Sequence, residues 1–147
     1  MAQTTGAITG AAAKVQIDVN SAGYVDISGS SQSIDAVEFT RLNGSAHTFD
    51  GDYAVLTFGK QPPTEITVNI LYTEASGEAF LTAVSALKNN HSVKLKWQPN
   101  GAAGKYFETP AGGKISSVSL PGNDASSGEP LMVSFTVMAP GIITDIT

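Results

Sequence analysis

Between Glu65 and Trp97 the hydrophobic period changes twice, and this stretch constrains the fold more than any other. From Glu65 to Tyr72 the residues alternate: Ile66, Val68, Ile70 and Tyr72 point one way, and Glu65, Thr67, Asn69 and Leu71 the other. A period of two marks a half-buried strand. A helix follows over 75–89, because Phe80, Leu81, Val84 and Leu87 fall on one side of a helical repeat. Ala75, Ala79, Ala83 and Ala86 add helix propensity at low bulk. Thr73 or Ser76 can cap its start, Glu74 and Glu78 suit its positive end, and Lys88 its negative end. Asn89-Asn90 offers a left-handed exit. From Ser92 to Trp97 the alternation returns, with Val93, Leu95 and Trp97 on one face. No other segment has a convincing helical period, so the stripe must be buried on a sheet. Burying its four large side chains is worth about 6–12 kcal/mol as an upper bound.

The rest of the chain reads as short strands between turns. Lys14 to Val19 and Tyr24 to Ile27 flank the turn residues Asn20 to Gly23 and predict a hairpin. Ser28 to Ser33 reads as a polar loop. Asp35 to Leu42 reads as a strand with Val37 and Phe39 inward and Glu38 and Thr40 outward. Asn43 to Asp52 reads as a long loop before a strand over 53–58, and it holds His47 and Phe49, costly residues to expose without use. Lys114 to Leu120 breaks strict alternation, which a bulge near Ser116-Ser117 explains. Leu131 to Met138 is the last clear strand. About nine short strands and one helix define a mainly β fold, an antiparallel β-sandwich or barrel with a single flanking helix. The expected organisation is a flexible N-terminal arm over 1–13, one β domain over 14–139 and a C-terminal arm over 140–147, either arm being free or ordering on a neighbouring subunit.

The chain of 147 residues suits one core, and its 14% charged residues fall well below the usual quarter. A net charge of -5 argues against a dedicated nucleic-acid binder, though not against a wall that nucleic acid slides past. There is no cysteine, so disulfides and thiolate metal sites are excluded. No apolar run approaches a membrane span, and no signal-peptide pattern opens the chain, so synthesis in a cytoplasm is expected.

Catalytic patterns are missing. His47 and His91 stand outside any metal-ligand spacing and read as structural or solvent-exposed. Asp50 and Asp52 flank Gly51 without the further oxygen ligands of a calcium loop and read as turn residues. No nucleophile elbow, phosphate loop or dinucleotide fingerprint is present, so neither an enzyme nor a cofactor is expected. Lys94 and Lys96 share a strand face, either as an exposed face that discourages edge pairing or as partners for acidic residues of another subunit. Trp97 reads as a core or interface anchor. A β-rich domain without a site, with arms and a long internal loop, points to an assembly subunit. A carbohydrate-binding or adhesin-like sandwich using Trp97, Tyr106 or Phe107 is the alternative.

From Lys14 to Ala139 the chain resembles the major tail tube proteins of phages with long, non-contractile tails. The resemblance is carried by Val15 to Val19 with Tyr24 to Ser28, by Arg41 to Asp52, by the Ile66 to Tyr72 strand running into the helix, by Lys94 to Gly101, and by the strand from Pro130 to Met138. It implies hexameric rings stacked into a hollow tube, closed on the inside by strands from all six copies, through which DNA passes as cargo. It implies an inter-ring stacking loop with Asn43, Ala46, His47, Thr48, Phe49, Asp50 and Asp52. It implies a lumen lined by Glu38 and Thr40, with Thr67 and Asn69 as further candidates; Arg41, a departure from that pattern, suits an inter-subunit contact better than a lumen, and Lys94 and Lys96 are inter-subunit contacts in their functional reading. Its implied partners are the chain itself and tape measure, tail terminator and tail-tip proteins. The implied location is the virion tail, with synthesis in the host bacterial cytoplasm and no membrane. The secretion-system tube proteins share the architecture and remain open.

Overall fold

The structure is a computed structural model and describes residues 2–102 and 104–145. In chain order it contains a short 3-10 turn (Gly10–Ala12), β1 (Lys14–Val19), β2 (Tyr24–Asp26), β3 (Ser31–Ile34), β4 (Asn43–Ala46), β5 (Val55–Phe58), β6 (Thr64–Leu71), α1 (Ala79–Lys88), β7 (Val93–Gln98), β8 (Tyr106–Glu108), β9 (Lys114–Val118), β10 (Met132–Ala139) and β11 (Ile143–Asp145).

Alternation does what it predicts where both neighbours exist. β6 and β10 pair antiparallel over eight residues, from Thr64↔Ala139 to Leu71↔Met132. Ile66, Val68, Ile70, Phe135 and Val137 are completely buried. The four-stranded sheet runs β3-β6-β10-β9, and the five-stranded sheet runs β11-β8-β7-β1-β2. Val15, Ile17, Val93 and Leu95 bring the second sheet's inner face into the same core. The sheets form a sandwich and do not close into a barrel. They come together at Gly113, whose carbonyl accepts from the Val93 N–H at 2.8 Å. A Cβ there would stand 2.9 Å from the Val93 carbonyl oxygen, so only glycine allows this approach. The bulge expected in β9 is present: Thr136 pairs with Ser117 and Val137 with Ile115, leaving Ser116 as the extra residue.

The helix is shorter than its sequence suggests. Gly77 takes φ +85° and α1 begins at Ala79, behind Glu78 in an extended conformation. Neither Thr73 nor Ser76 caps it. The Ala79 N–H donates instead to the Ser30 hydroxyl, 49 residues upstream, at 3.3 Å. The left-handed exit is as expected: Asn90 has φ 54°, and the Asn90 and His91 N–H groups donate to Leu87 and Ala86 carbonyls. The buried stripe is rotated from the expected one. Ala79, Phe80, Ala83 and Ala86 face the core, Val84 is half-buried, and Leu81 and Leu87 are 38% and 41% exposed. Packed on β9 and β6, the helix uses alanines so that its backbone lies close to the sheet.

Three segments differ from expectation. Ser31–Ile34, in the polar loop, is an edge strand on β6. Residues 35–42 are not a strand, because β6 already has β3 and β10 as neighbours. Asn43–Ala46, at the start of the supposed loop, pairs with Val55–Phe58, so the loop runs only over 47–54. At the C-terminus, Ile142 is buried and β11 adds an edge to β8, which ties this part of the expected arm into the five-stranded sheet. Residues 2–9 carry no strand and are exposed. Met1, Ile146 and Thr147, assigned to the arms, lie outside the described residues.

Candidate functional site

The β4–β5 hairpin stands apart from both sheets. Its register sets Asn43 opposite Phe58 and Ala46 opposite Val55. Opposed residues share a face, so Leu56 and Phe58 lie on one side with Ser45 and Asn43. Neither side is covered: Val55, Leu56 and Phe58 are all exposed, Tyr53 is 89% exposed and Phe49 at the tip completely so. An isolated two-stranded hairpin is marginal in water at best. This one is held at its base, where the Leu42 N–H donates to the Lys60 carbonyl at 2.9 Å and the Ile142 N–H donates to Gln61 Oε1 at 2.9 Å. Arg41 lies in a shallow depression at that base, beside Gln61, Pro140 and Ile142. Asp50 and Asp52 belong to a turn in which the Thr48 hydroxyl donates to the Asp50 carbonyl and Gly51 takes φ +99°. The expected loop residues are therefore together and exposed, but as the tip and first strand of a projecting hairpin.

The outward face of the four-stranded sheet is polar. Thr67 and Thr136 hydroxyls share a hydrogen bond at 3.0 Å, and the Asn69 amide donates to Ser33 Oγ and Asp35 Oδ1, both at 3.0 Å. Thr67 and Asn69 are side by side on this face, as their alternation required. Glu38 and Thr40 are not on it, since they belong to the exposed irregular segment after β3.

Lys94 and Lys96 project from the outward face of the five-stranded sheet. β7 is an inner strand there, so the edge-protection reading fails. Lys96 Nζ stands 4.3 Å from the centre of the Tyr106 ring and 5.7 Å from that of Tyr24, and Lys94 Nζ stands 5.4 Å from Tyr24. The Tyr24 hydroxyl donates to Glu108 Oε2 at 2.9 Å; burial, then this bond, raises its pKa well above the ordinary value. The lysines are thus already engaged with aromatic rings of their own chain. Trp97 stacks on Phe107 at 5.6 Å on the inner side, while Tyr106 faces outward beneath Lys96. These three aromatics do not form one platform for a sugar.

An apolar groove of about 630 Å³ opens between β7–β8 and the segment after β3. Ile34, Val37, Phe39, Trp97 and Phe107 wall it. Sequence reasoning placed Val37 and Phe39 inside a strand and missed the groove; their apolar character was the signal available. Among the described residues, no cluster of His, Cys, Asp or Glu could hold a metal ion, and no helix is long and apolar enough to cross a membrane.

No protein-family model matches the sequence, and no curated protein matches it. Solved structures do. A chain of the six-fold symmetrised anti-feeding prophage baseplate superposes with a TM-score of 0.74 at 10% identity, covering 99% of this chain and 97% of that one. A chain of the tail of an empty GTA particle, refined with C6 symmetry, gives 0.66 at 11% identity, covering 91% and 94%. The SPP1 tail tube gives 0.62 at 13% identity, covering 95% of this chain and 79% of that one. At such identities the likeness is one of fold, and the fold is that of the phage-type tail tube proteins.

Proposed function

We propose that this chain is a structural, non-catalytic subunit that assembles into hexameric rings stacked as a hollow tail tube, with DNA as passing cargo. The observation that carries this reading is the four-stranded sheet: the centre of its outward face, Thr67, Asn69, Ser134 and Thr136, is hydroxyls and an amide, with Met132 and Met138 towards the ends, and both its edges, β3 and β9, are short strands without proline. Pairing β9 of one copy with β3 of the next satisfies these edges and, repeated around an axis, closes a barrel larger than any single copy could form. The C6 symmetry of the GTA tail and the six-fold baseplate support six as the number of copies. Thr67 and Asn69, with Thr136 beside them, then line the lumen. The middle of this wall is neutral, and its cation, Lys114 at the end of β9, donates to Asn90 Oδ1, so the wall offers phosphates little to bind and DNA slides without being held.

In this assembly the hairpin, from Asn43 to Asp52 and its return strand, makes the contact between rings, with Arg41 at its base. Residues 2–9, exposed and without a strand, reach neighbouring copies. Tape measure, terminator and tail-tip proteins are the matching partners at the bore and the two ends, and the location is the virion tail. An injection or secretion tube with protein cargo is the second reading, favoured by the likeness to a chain of an extracellular contractile injection system at a TM-score of 0.69. Electron microscopy of the concentrated, purified protein tests the tube itself. Hollow tubes with six-fold end views are expected; a strict monomer at every concentration, also after seeding with tail-tip complexes, overturns the proposal.

A further inference from the structure

Two of the apolar surfaces left open among the described residues have opposite shapes. One is convex: Phe49 and Tyr53 at the hairpin tip, with Leu56 behind them, project into solvent. The other is concave: the groove walled by Ile34, Val37, Phe39, Trp97 and Phe107. No residue of the hairpin, from 43 to 58, lines that groove, so the two surfaces do not satisfy each other within one copy.

We infer that the hairpin tip of one copy seats in the Val37–Trp97–Phe107 groove of a second copy. The inference rests on the assembly proposed above and names the surface that receives the hairpin. A groove of about 630 Å³ lies within the range of pockets that enclose drug-sized apolar groups. Phe and Tyr each bury about 150–250 Å² in such a setting, so two rings at the tip can occupy it. Its walls supply aromatic partners, since Trp97 and Phe107 are already stacked and present a rigid surface. Tip and groove are different patches, so the contact is heterologous. Each copy gives a tip and offers a groove, and the contact propagates from copy to copy instead of stopping at a dimer. The base of the hairpin is tied to the body of the domain: Gln61, just beyond β5, accepts from the Ile142 N–H, and Ile142 itself forms part of the groove.

The chain has no cysteine, which makes disulfide trapping clean. Asp50→Cys, which keeps Phe49 and Tyr53, is mixed with a second chain carrying Ala36→Cys on the groove rim, assembled and oxidised. Denaturing electrophoresis without reductant then counts the linked pairs. A disulfide needs the two Cα atoms within about 7 Å, so the expected result is about tenfold more linked pair than when Asp50→Cys is mixed with Ser116→Cys on the opposite sheet face. Tubes without this excess overturn the groove assignment and leave the tube proposal standing. A dominant link between Ile8→Cys and Ala36→Cys overturns it in favour of the N-terminal arm as occupant, and a dominant link between two Asp50→Cys chains overturns it in favour of tip meeting tip. Absence of any assembly and any link overturns both proposals.

Discussion

The β6–β10 pair and the β4–β5 hairpin are built from the same local rule and end in opposite environments. Both are antiparallel, and both carry large apolar side chains at alternate positions of one strand, Ile66, Val68 and Ile70 in β6 and Leu56 and Phe58 in β5. In β6–β10 those side chains have no exposed surface, whereas Val55, Leu56 and Phe58 keep more than half of theirs. The difference lies in what flanks each pair. β6–β10 has β3 and β9 beside it and the second sheet beneath it; the hairpin has neither. Alternation specifies a strand, but the burial of a face is decided by its neighbours, and among the described residues the hairpin has none on either face.

Four variants break or sharpen this contrast. Phe135→Ala, at the fully buried centre of β10, should cost about 3–5 kcal/mol of folding stability in chemical denaturation, enough to abolish soluble protein in a marginal domain. Ala83→Leu should cost about 1–3 kcal/mol by forcing the helix off the sheet, against a much smaller change for Leu87→Ala on the exposed side. Equal effects at the two sites would restore the Leu81–Val84–Leu87 stripe as the buried one. The double variant Phe49→Ser, Tyr53→Ser should change the stability of the monomer by no more than about 0.5 kcal/mol, because neither ring is buried. Sedimentation of the same variant should show tube formation lost. A stability loss like that of Phe135→Ala would mean that the hairpin packs on its own domain.

The legible parts of the fold were those in which side-chain chemistry and environment coincide. β1, β6, β7 and β10 place aliphatic residues at every second position, and each contributes them to the core. Thr67 and Asn69 share the polar face for the same reason. Ser31–Ile34 and Asn43–Ala46 were not legible, because serine, glycine and asparagine carry no hydrophobic period and their pairing comes from backbone groups opposite. Residues 35–42 show the reverse failure: the pattern of a strand is present, but the segment pairs with no strand, and Val37 and Phe39 wall the groove instead. The rotated face of α1 has another cause. Alanine contributes little to a hydrophobic stripe, yet a close helix–sheet contact selects it over leucine. Lys94 and Lys96 were recognisable as sharing one face; the rings of Tyr24 and Tyr106 that hold them come from other strands and could not be placed from spacing.

The bond from Ala79 N–H to the Ser30 hydroxyl has a consequence for the order in which the chain folds. A locally supplied cap would leave the helix's first turn dependent only on neighbouring residues. Here the cap lies 49 residues away, on the turn between β2 and β3, and the helix's first turn is completed only after that loop closes. Ten residues are too few to hold a helix alone in water, so α1 waits on a distant part of the chain. The antiparallel ladders join distant segments as well, so folding is expected at the slower rates of non-local topologies.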